Sequence, residues 1–195
     1  MNLDASQTPV LIGIVALVVF GLTERLLHVL GLRQSKARER EGPTFYLCVL
    51  SWQGTVMFSL IDAVALHWTT IAPGLSSVSY AGVPLVVAGI AVRIVSRLTL
   101  GKHFSGHVQT TEGHKLVTSG IYGWIRHPAY TGYLCLLIGF PLCFGSIGGF
   151  GCATALGVPA IMYRIRIEEA ALEQWFGEEY ERYTRRTRRL IPFVW

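Results

Sequence analysis

Residues 79–100, SYAGVPLVVAGIAVRIVSRLTL, decide the fold. The stretch is apolar for nearly its whole length, and a helix needs about 20 such residues to cross the hydrocarbon core of a bilayer. Other runs of the same kind lie on either side of it. One extends from about Pro9 to Leu32 and one from about Thr44 to Trp68. After a polar interval come two shorter runs, Ala129–Gly145 and Ile147–Tyr163, joined by a glycine-rich turn and readable as a tight helical hairpin. The pattern predicts an all-α integral membrane protein of about five transmembrane helices, with a cytoplasmic loop before the hairpin and an amphipathic helix after it. The chain reads as one membrane domain over 1–195: three N-terminal spans in 1–100, the loop in 101–128, the hairpin in 129–167 and the tail in 168–195.

Composition agrees. Of 195 residues, 51% are hydrophobic and 15% charged, with mean hydropathy +0.44, whereas soluble domains carry about 25% charged residues. The N-terminal run has no basic segment ahead of it and exceeds the apolar core of a signal peptide, so it is expected to persist as a span. Arg33, Lys36, Arg38 and Arg40 fall in segment 33–43, and Lys102, Lys115 and Arg126 in segment 101–127. Arg182, Arg185, Arg186, Arg188 and Arg189 fall in the tail, while segments 69–77 and 145–148 have neither Lys nor Arg. Cytoplasmic loops carry the excess of Lys and Arg, so this alternation puts the N-terminus outside and the loop and tail in the cytoplasm. The membrane would be the plasma or inner membrane of a prokaryote, or an endomembrane of a eukaryote.

Charges within the spans are costly and normally face the bundle interior or water. Arg93, the deeper of two arginines one turn apart, reads as inward, whereas Arg97 reads as snorkelling to the headgroups. Asp62, near the outer end of the second run, reads as interfacial. The four cysteines, Cys48, Cys135, Cys143 and Cys152, lie in apolar stretches without a C-x-x-C pair and read as small core residues, not a disulfide framework. Gly145, Gly148, Gly149 and Gly151 follow no strand and form no dinucleotide fingerprint. The basic residues bracket apolar runs instead of forming a groove-sized patch, which argues against nucleic acid as a partner. No repeat of about 20–50 residues is evident.

Chemistry concentrates in GKHFSGHVQTTEGHKLVTSGIYGWIRHPAY, residues 101–130. His103 and His107 have helical spacing, but zinc wants three or four ligands and Gly106 weakens a helix there, so no metal site is expected. Pro128 suits the first turn of a helix, and the N–H groups that follow, with Arg126 and His127 just ahead, would attract an anion. In the second cluster, residues 162–192, Arg164 and Glu168 share a helix face, and Arg166 and Glu169 a neighbouring one. Leu172, Trp175, Phe176, Tyr180 and Tyr183 form an apolar stripe suited to the bilayer surface. The terminal arginines read as contacts to anionic membrane lipid.

GHKLVTSGIYGWIRHPAYTGY, then R-x-x-x-EE, then FGEEYERYTRRTRRLIP resembles the isoprenylcysteine carboxyl methyltransferase family, whose wider group includes phospholipid methyltransferases. The resemblance covers roughly residues 95–193. It implies S-adenosylmethionine as cofactor, held at the positions of His114, Leu116, Val117, Gly120, Tyr122, His127, Pro128, Tyr130, Glu168 and Glu169. It further implies methyl transfer to a lipophilic or lipidated acceptor at the cytoplasmic face, most simply the carboxylate of a prenylcysteine-like or isoprenoid substrate. A sulfonium zwitterion suits these residues: carboxylates match its ammonium group, and an Arg/His helix N-terminus matches its carboxylate. Arg126 and Arg164, with Arg93 in reserve, are the candidates to grip the acceptor carboxylate, because a guanidinium can do so bidentately. The competing readings are a phospholipid, amine or thiol methyltransferase, an NADPH-dependent sterol-type reductase, and a non-catalytic assembly or transport factor. The reductases share an R-H-P-x-Y ending but have Asn where Ala129 stands.

Overall fold

The computed structural model describes residues 8–29, 43–71, 77–100 and 116–191. His103, His107 and His114 lie outside them, as do Arg33, Lys36, Arg38, Arg40, Lys102 and Lys115. Helix α1 is Thr8–Val29 and α2 is Pro43–Ile61, the latter prolonged by a wide turn over Asp62–Leu66. The short α3, Ser77–Tyr80, leads into α4, Gly82–Leu100. A tight turn over Gly120–Gly123 precedes α5, Pro128–Cys143. Helix α6, Ile147–Cys152, passes through a second wide turn, Ala153–Gly157, into α7, Val158–Phe176, and α8 is Glu178–Arg186.

Among the described residues, three segments are long and apolar enough to cross a membrane: Thr8–Leu27, Pro43–Leu66 and Ser77–Leu100. Each falls within two residues of an expected start. Pro128–Cys143 is apolar but shorter. Pro128 is the first residue of α5, as expected. The final helical run extends well beyond Tyr163, because α7 continues through Glu168 and Glu169 to Phe176, where Gly177 at φ 49° turns the chain into α8.

Helices α4 and α5 make the most extensive contact in the bundle. Glycine makes it possible. Gly82 and Gly89 on α4 face Gly139 and Gly132 on α5, and a methyl group on Gly89 would sit 2.8 Å from the Gly132 carbonyl oxygen. Where lipid replaces water, helices associate by close packing more than by hydrophobic expulsion, and small residues permit it. Around this seam Leu136, Phe140, Cys143 and Phe144 pack against Phe20 of α1 and Val56 of α2, while Leu137, Ile161 and Ile165 form a second cluster beside α7. All four cysteines are free, two buried and two partly buried.

One end of the bundle is closed by Asp62. It lies at the end of α2 and is wholly enclosed by protein (0% exposed). Its Oδ1 accepts from the Trp68 and Thr69 N–H groups at 2.9 and 3.1 Å. Its Oδ2 accepts from Thr69 Oγ1 at 2.6 Å and Ser146 Oγ at 2.7 Å. The carboxylate thus ties the end of α2 to the turn before α6, where the backbone bonds Ile147 N–Thr69 O and Ile71 N–Gly145 O continue the tie. Hydrogen bonds to a charged group contribute about 1.5–3 kcal/mol each, and orphaned donors add a penalty. Asp62→Ala should therefore cost about 3 kcal/mol or more and lower the apparent melting temperature in detergent by about 6–12 °C for a chain of this size. A shift under about 2 °C would mean that water replaces the carboxylate without loss.

Candidate active site

The opposite end of α5 carries the ionic groups. His127 caps the helix, and the chain ahead of it is held by the C-terminal segment: Arg126 N donates to Arg188 O at 2.7 Å and His127 N to Arg189 O at 3.0 Å. Arg188 N returns a bond to Trp124 O, and Thr131 Oγ1 donates to Leu190 O. Residues 187–190 therefore form a strap across the entrance to α5. The Arg126 guanidinium reinforces it, donating to the Thr187 and Thr184 carbonyl oxygens at 2.6 and 3.1 Å.

Glu169 is the hub. Its Oε1 accepts from Arg126 Nε at 3.0 Å and lies 3.4 Å from His127 Nε2, while its Oε2 accepts from Arg189 Nε at 2.9 Å. Burial alone would raise its pKa, but hydrogen bonds from His127, Arg189 and Arg126 and the charge of His127 hold it down to about 2. An internal carboxylate thus sits where an anionic ligand was expected, against Arg126 and His127 at the head of α5. Arg189, expected among lipid headgroups, turns inward to the same carboxylate.

Glu168 is differently placed. Its Oε2 accepts from the Tyr130 hydroxyl at 2.8 Å, and that hydroxyl in turn accepts from Arg164 Nε at 3.3 Å. Arg164 and Glu168 are thus linked through a phenol. Arg164 is itself buried, with Nη1 donating to Thr44 Oγ1 of α2 at 3.0 Å. Among the described residues Glu168 Oε1 accepts no hydrogen bond, and the nearest cation-capable atom is His127 Nδ1 at 4.0 Å.

Tyr122 closes the cluster from the loop. It is buried, and its carbonyl oxygen accepts from the Tyr183 hydroxyl at 2.7 Å. Burial, with the negative charge of Glu168, pushes its phenol pKa well up, against the lowering influence of Ser96 and Arg93. Tyr180, expected to face the bilayer, is buried, and its hydroxyl has no hydrogen-bond partner among the described residues. Gly120 takes φ +60° so that the chain can turn beside Thr99. Leu116 and Val117 lie half-buried ahead of that turn, and Pro128 is buried at the head of α5.

The structure thus gathers Tyr122, His127, Tyr130, Glu168 and Glu169 with Arg126 and Arg164. Arg93 approaches from α4, its Nη1 lying 3.4 Å from the Ala129 carbonyl oxygen. Arg97, expected to snorkel, instead turns inward beside Arg93, and both pair with Glu24 of α1. Glu24 escaped the sequence reading. The available signal was a lone acid within a span, which is costly enough to mark a functional residue.

The fold and this centre define an all-helical integral membrane protein whose charged residues converge at the head of one short helix. Residues 82–174, a little under half of the chain, match the model of the isoprenylcysteine carboxyl methyltransferase (ICMT) family. A probable protein-S-isoprenylcysteine O-methyltransferase from Oryza sativa subsp. indica is 32% identical over 119 residues, 60% of this chain and 62% of that protein. The protein-S-isoprenylcysteine O-methyltransferase of Homo sapiens is 36% identical over 125 residues, 60% of this chain and 42% of that one. The matched region therefore spans less than two thirds of these relatives. The solved structure of the eukaryotic intramembrane Ras methyltransferase ICMT superposes with TM-score 0.68 and 22% identity, covering 100% of this chain and 70% of that one. That likeness is one of fold.

Proposed function

We propose that the chain transfers a methyl group from S-adenosylmethionine to the carboxylate of a prenylcysteine-like or isoprenoid acceptor at the cytoplasmic membrane face. The observation that carries this reading is the Arg164–Tyr130–Glu168 chain, which holds a guanidinium and a carboxylate on either side of one phenol. The donor carries an ammonium group and the acceptor a carboxylate, so the transfer needs one partner of each sign in a single pocket. Glu168 Oε1 suits the ammonium, being without a hydrogen bond among the described residues on a side chain 27% exposed. The Tyr180 hydroxyl, without a partner among the described residues, also fits a polar ligand, since buried polar atoms normally have partners. Main-chain groups of 116–122 would meet the adenine edge, with Leu116 and Val117 against its faces.

S-adenosylmethionine, when bound, supplies an electrophilic methyl group. A carboxylate nucleophile needs no general base, so the protein's task is alignment and exclusion of water. Arg164 and Arg93 are assigned to the acceptor carboxylate. Arg126, engaged by Glu169 and two carbonyl oxygens, is assigned to holding the strap. The distribution of Lys and Arg among the loops supports a cytoplasmic site.

The test is calorimetric titration of the detergent-purified protein with S-adenosylhomocysteine and, in parallel, NADPH, followed by methyl transfer to a prenylated thiol acid and to its amide. Micromolar binding of the first ligand alone, with transfer to the acid and not the amide, is expected. Binding of NADPH alone would replace this reading with the reductase one.

A further inference from the structure

Glu24 lies in α1, outside the family-matched core and within the apolar span Thr8–Leu27, where a carboxylate needs a reason to be retained. It divides its oxygens between two arginines of α4: Oε1 accepts from Arg93 Nε at 3.0 Å, and Oε2 lies 2.7 Å from Arg97 Nη2. The bond to Nε fixes which edge of the Arg93 guanidinium remains. That group lies 5.7 Å from the Phe20 ring centroid and 5.5 Å from that of Tyr133, so aromatic faces restrict its swing. Among the described residues Arg93 Nη2 has no hydrogen-bond partner. Its Nη1 donates to the Ala129 carbonyl oxygen at 3.4 Å, beside Tyr130 in the first turn of α5, so Arg93 reaches the helix head that carries the other site residues.

We propose that Glu24 is a positioning residue for methyl transfer: by holding Arg93 through Nε, it presents the Nη edge to the acceptor carboxylate. The inference rests on the carboxylate reading given above. Glu24 also competes with the acceptor for the charge of Arg93. Its removal should therefore strengthen ground-state attraction while spoiling alignment, a signature that general loosening of the helices would not produce.

Purified protein in nanodiscs would be assayed with a prenylated thiol acid. Glu24→Gln should lower kcat by about tenfold or more without raising KM for the acid, and S-adenosylhomocysteine affinity should stay within about twofold. Equilibrium preference for the acid over the corresponding amide should widen by about threefold or more. In an Arg93→Lys background, which already lacks the fork, Glu24→Gln should cost less than about twofold further. Should Glu24→Gln fail to insert, Glu24→Asp keeps the charge but retracts it, and the same lowered kcat at unraised KM is expected. A raised KM at unchanged kcat, additive losses in the Arg93→Lys background, or parallel loss of S-adenosylhomocysteine binding would overturn the role of Glu24. A wild-type protein that binds acid and amide alike would overturn the carboxylate reading as well, which separates the two failures.

Discussion

Glu169→Gln is expected to release the C-terminal strap and abolish S-adenosylhomocysteine binding together, whereas Glu168→Gln should weaken that binding and leave the strap in place. The difference follows from their partners. Glu169 pairs with both Arg126 and Arg189 and meets His127 with a side chain only 12% exposed. A neutral amide would offer one oxygen to three donors and turn its own N–H groups toward a cation. Breaking one side of such a buried pair typically costs about 3–5 kcal/mol. Proteolysis within 184–190 should become at least about tenfold faster in Glu169→Gln and remain unchanged in Glu168→Gln. Strap release in both variants, or in neither, would mean that the two carboxylates are not divided in this way.

The same residue sets a pH dependence. Its folded pKa of about 2 lies below the ordinary value of 4.5. A depressed carboxyl pKa stabilises the fold above the unfolded value, and that contribution is lost as pH falls through the folded one. The melting-temperature gap between wild type and Glu169→Gln should thus be full above about pH 5 and close as pH falls toward 2. A gap that stays constant across that window would remove ionisation of Glu169 from the account.

The second large effect is steric. Gly89→Leu should prevent α4 and α5 from seating, with loss of folded protein instead of a graded loss of activity. Its Cβ would fall 2.8 Å from both the Gly132 carbonyl oxygen and Leu136 Cγ, and the first of these cannot rotate away. Overpacking a core costs about 1–3 kcal/mol when side chains can yield; backbone against backbone leaves no such relief. Gly54→Leu is the control, because among the described residues nothing lies within 4 Å of a Cβ there. Detergent-extracted yield and monodispersity would be measured for both, and equal behaviour would show that the seam tolerates separation.

Much of this architecture was legible because the bilayer imposes length. Thr8–Leu27, Pro43–Leu66 and Ser77–Leu100 announce themselves as apolar runs, and Pro128 as a helix start by its missing N–H. The co-location of Tyr130, His127, Glu168 and Glu169 followed from recognisable motifs. What escaped was pairing across distance. The division of labour between adjacent Glu168 and Glu169 depends on which face of α7 meets α5, and no local spacing encodes that. Arg189 looked like its exposed neighbours until Glu169 gave it a partner 20 residues away. The enclosure of Asp62 was hidden because Thr69 and Ser146, which bond to it, come from separate segments.

The strap has a consequence for biosynthesis. Arg126 leaves the ribosome first, Glu169 follows 43 residues later, and Arg189 another 20 after that. At about 5–20 residues per second, the carboxylate waits for its last partner for about 1–4 s. Insertion of the hairpin and completion of the ionic centre are therefore separate events in time. A substitution at Arg189 should leave membrane targeting intact and act on maturation, yielding inserted chains that never close.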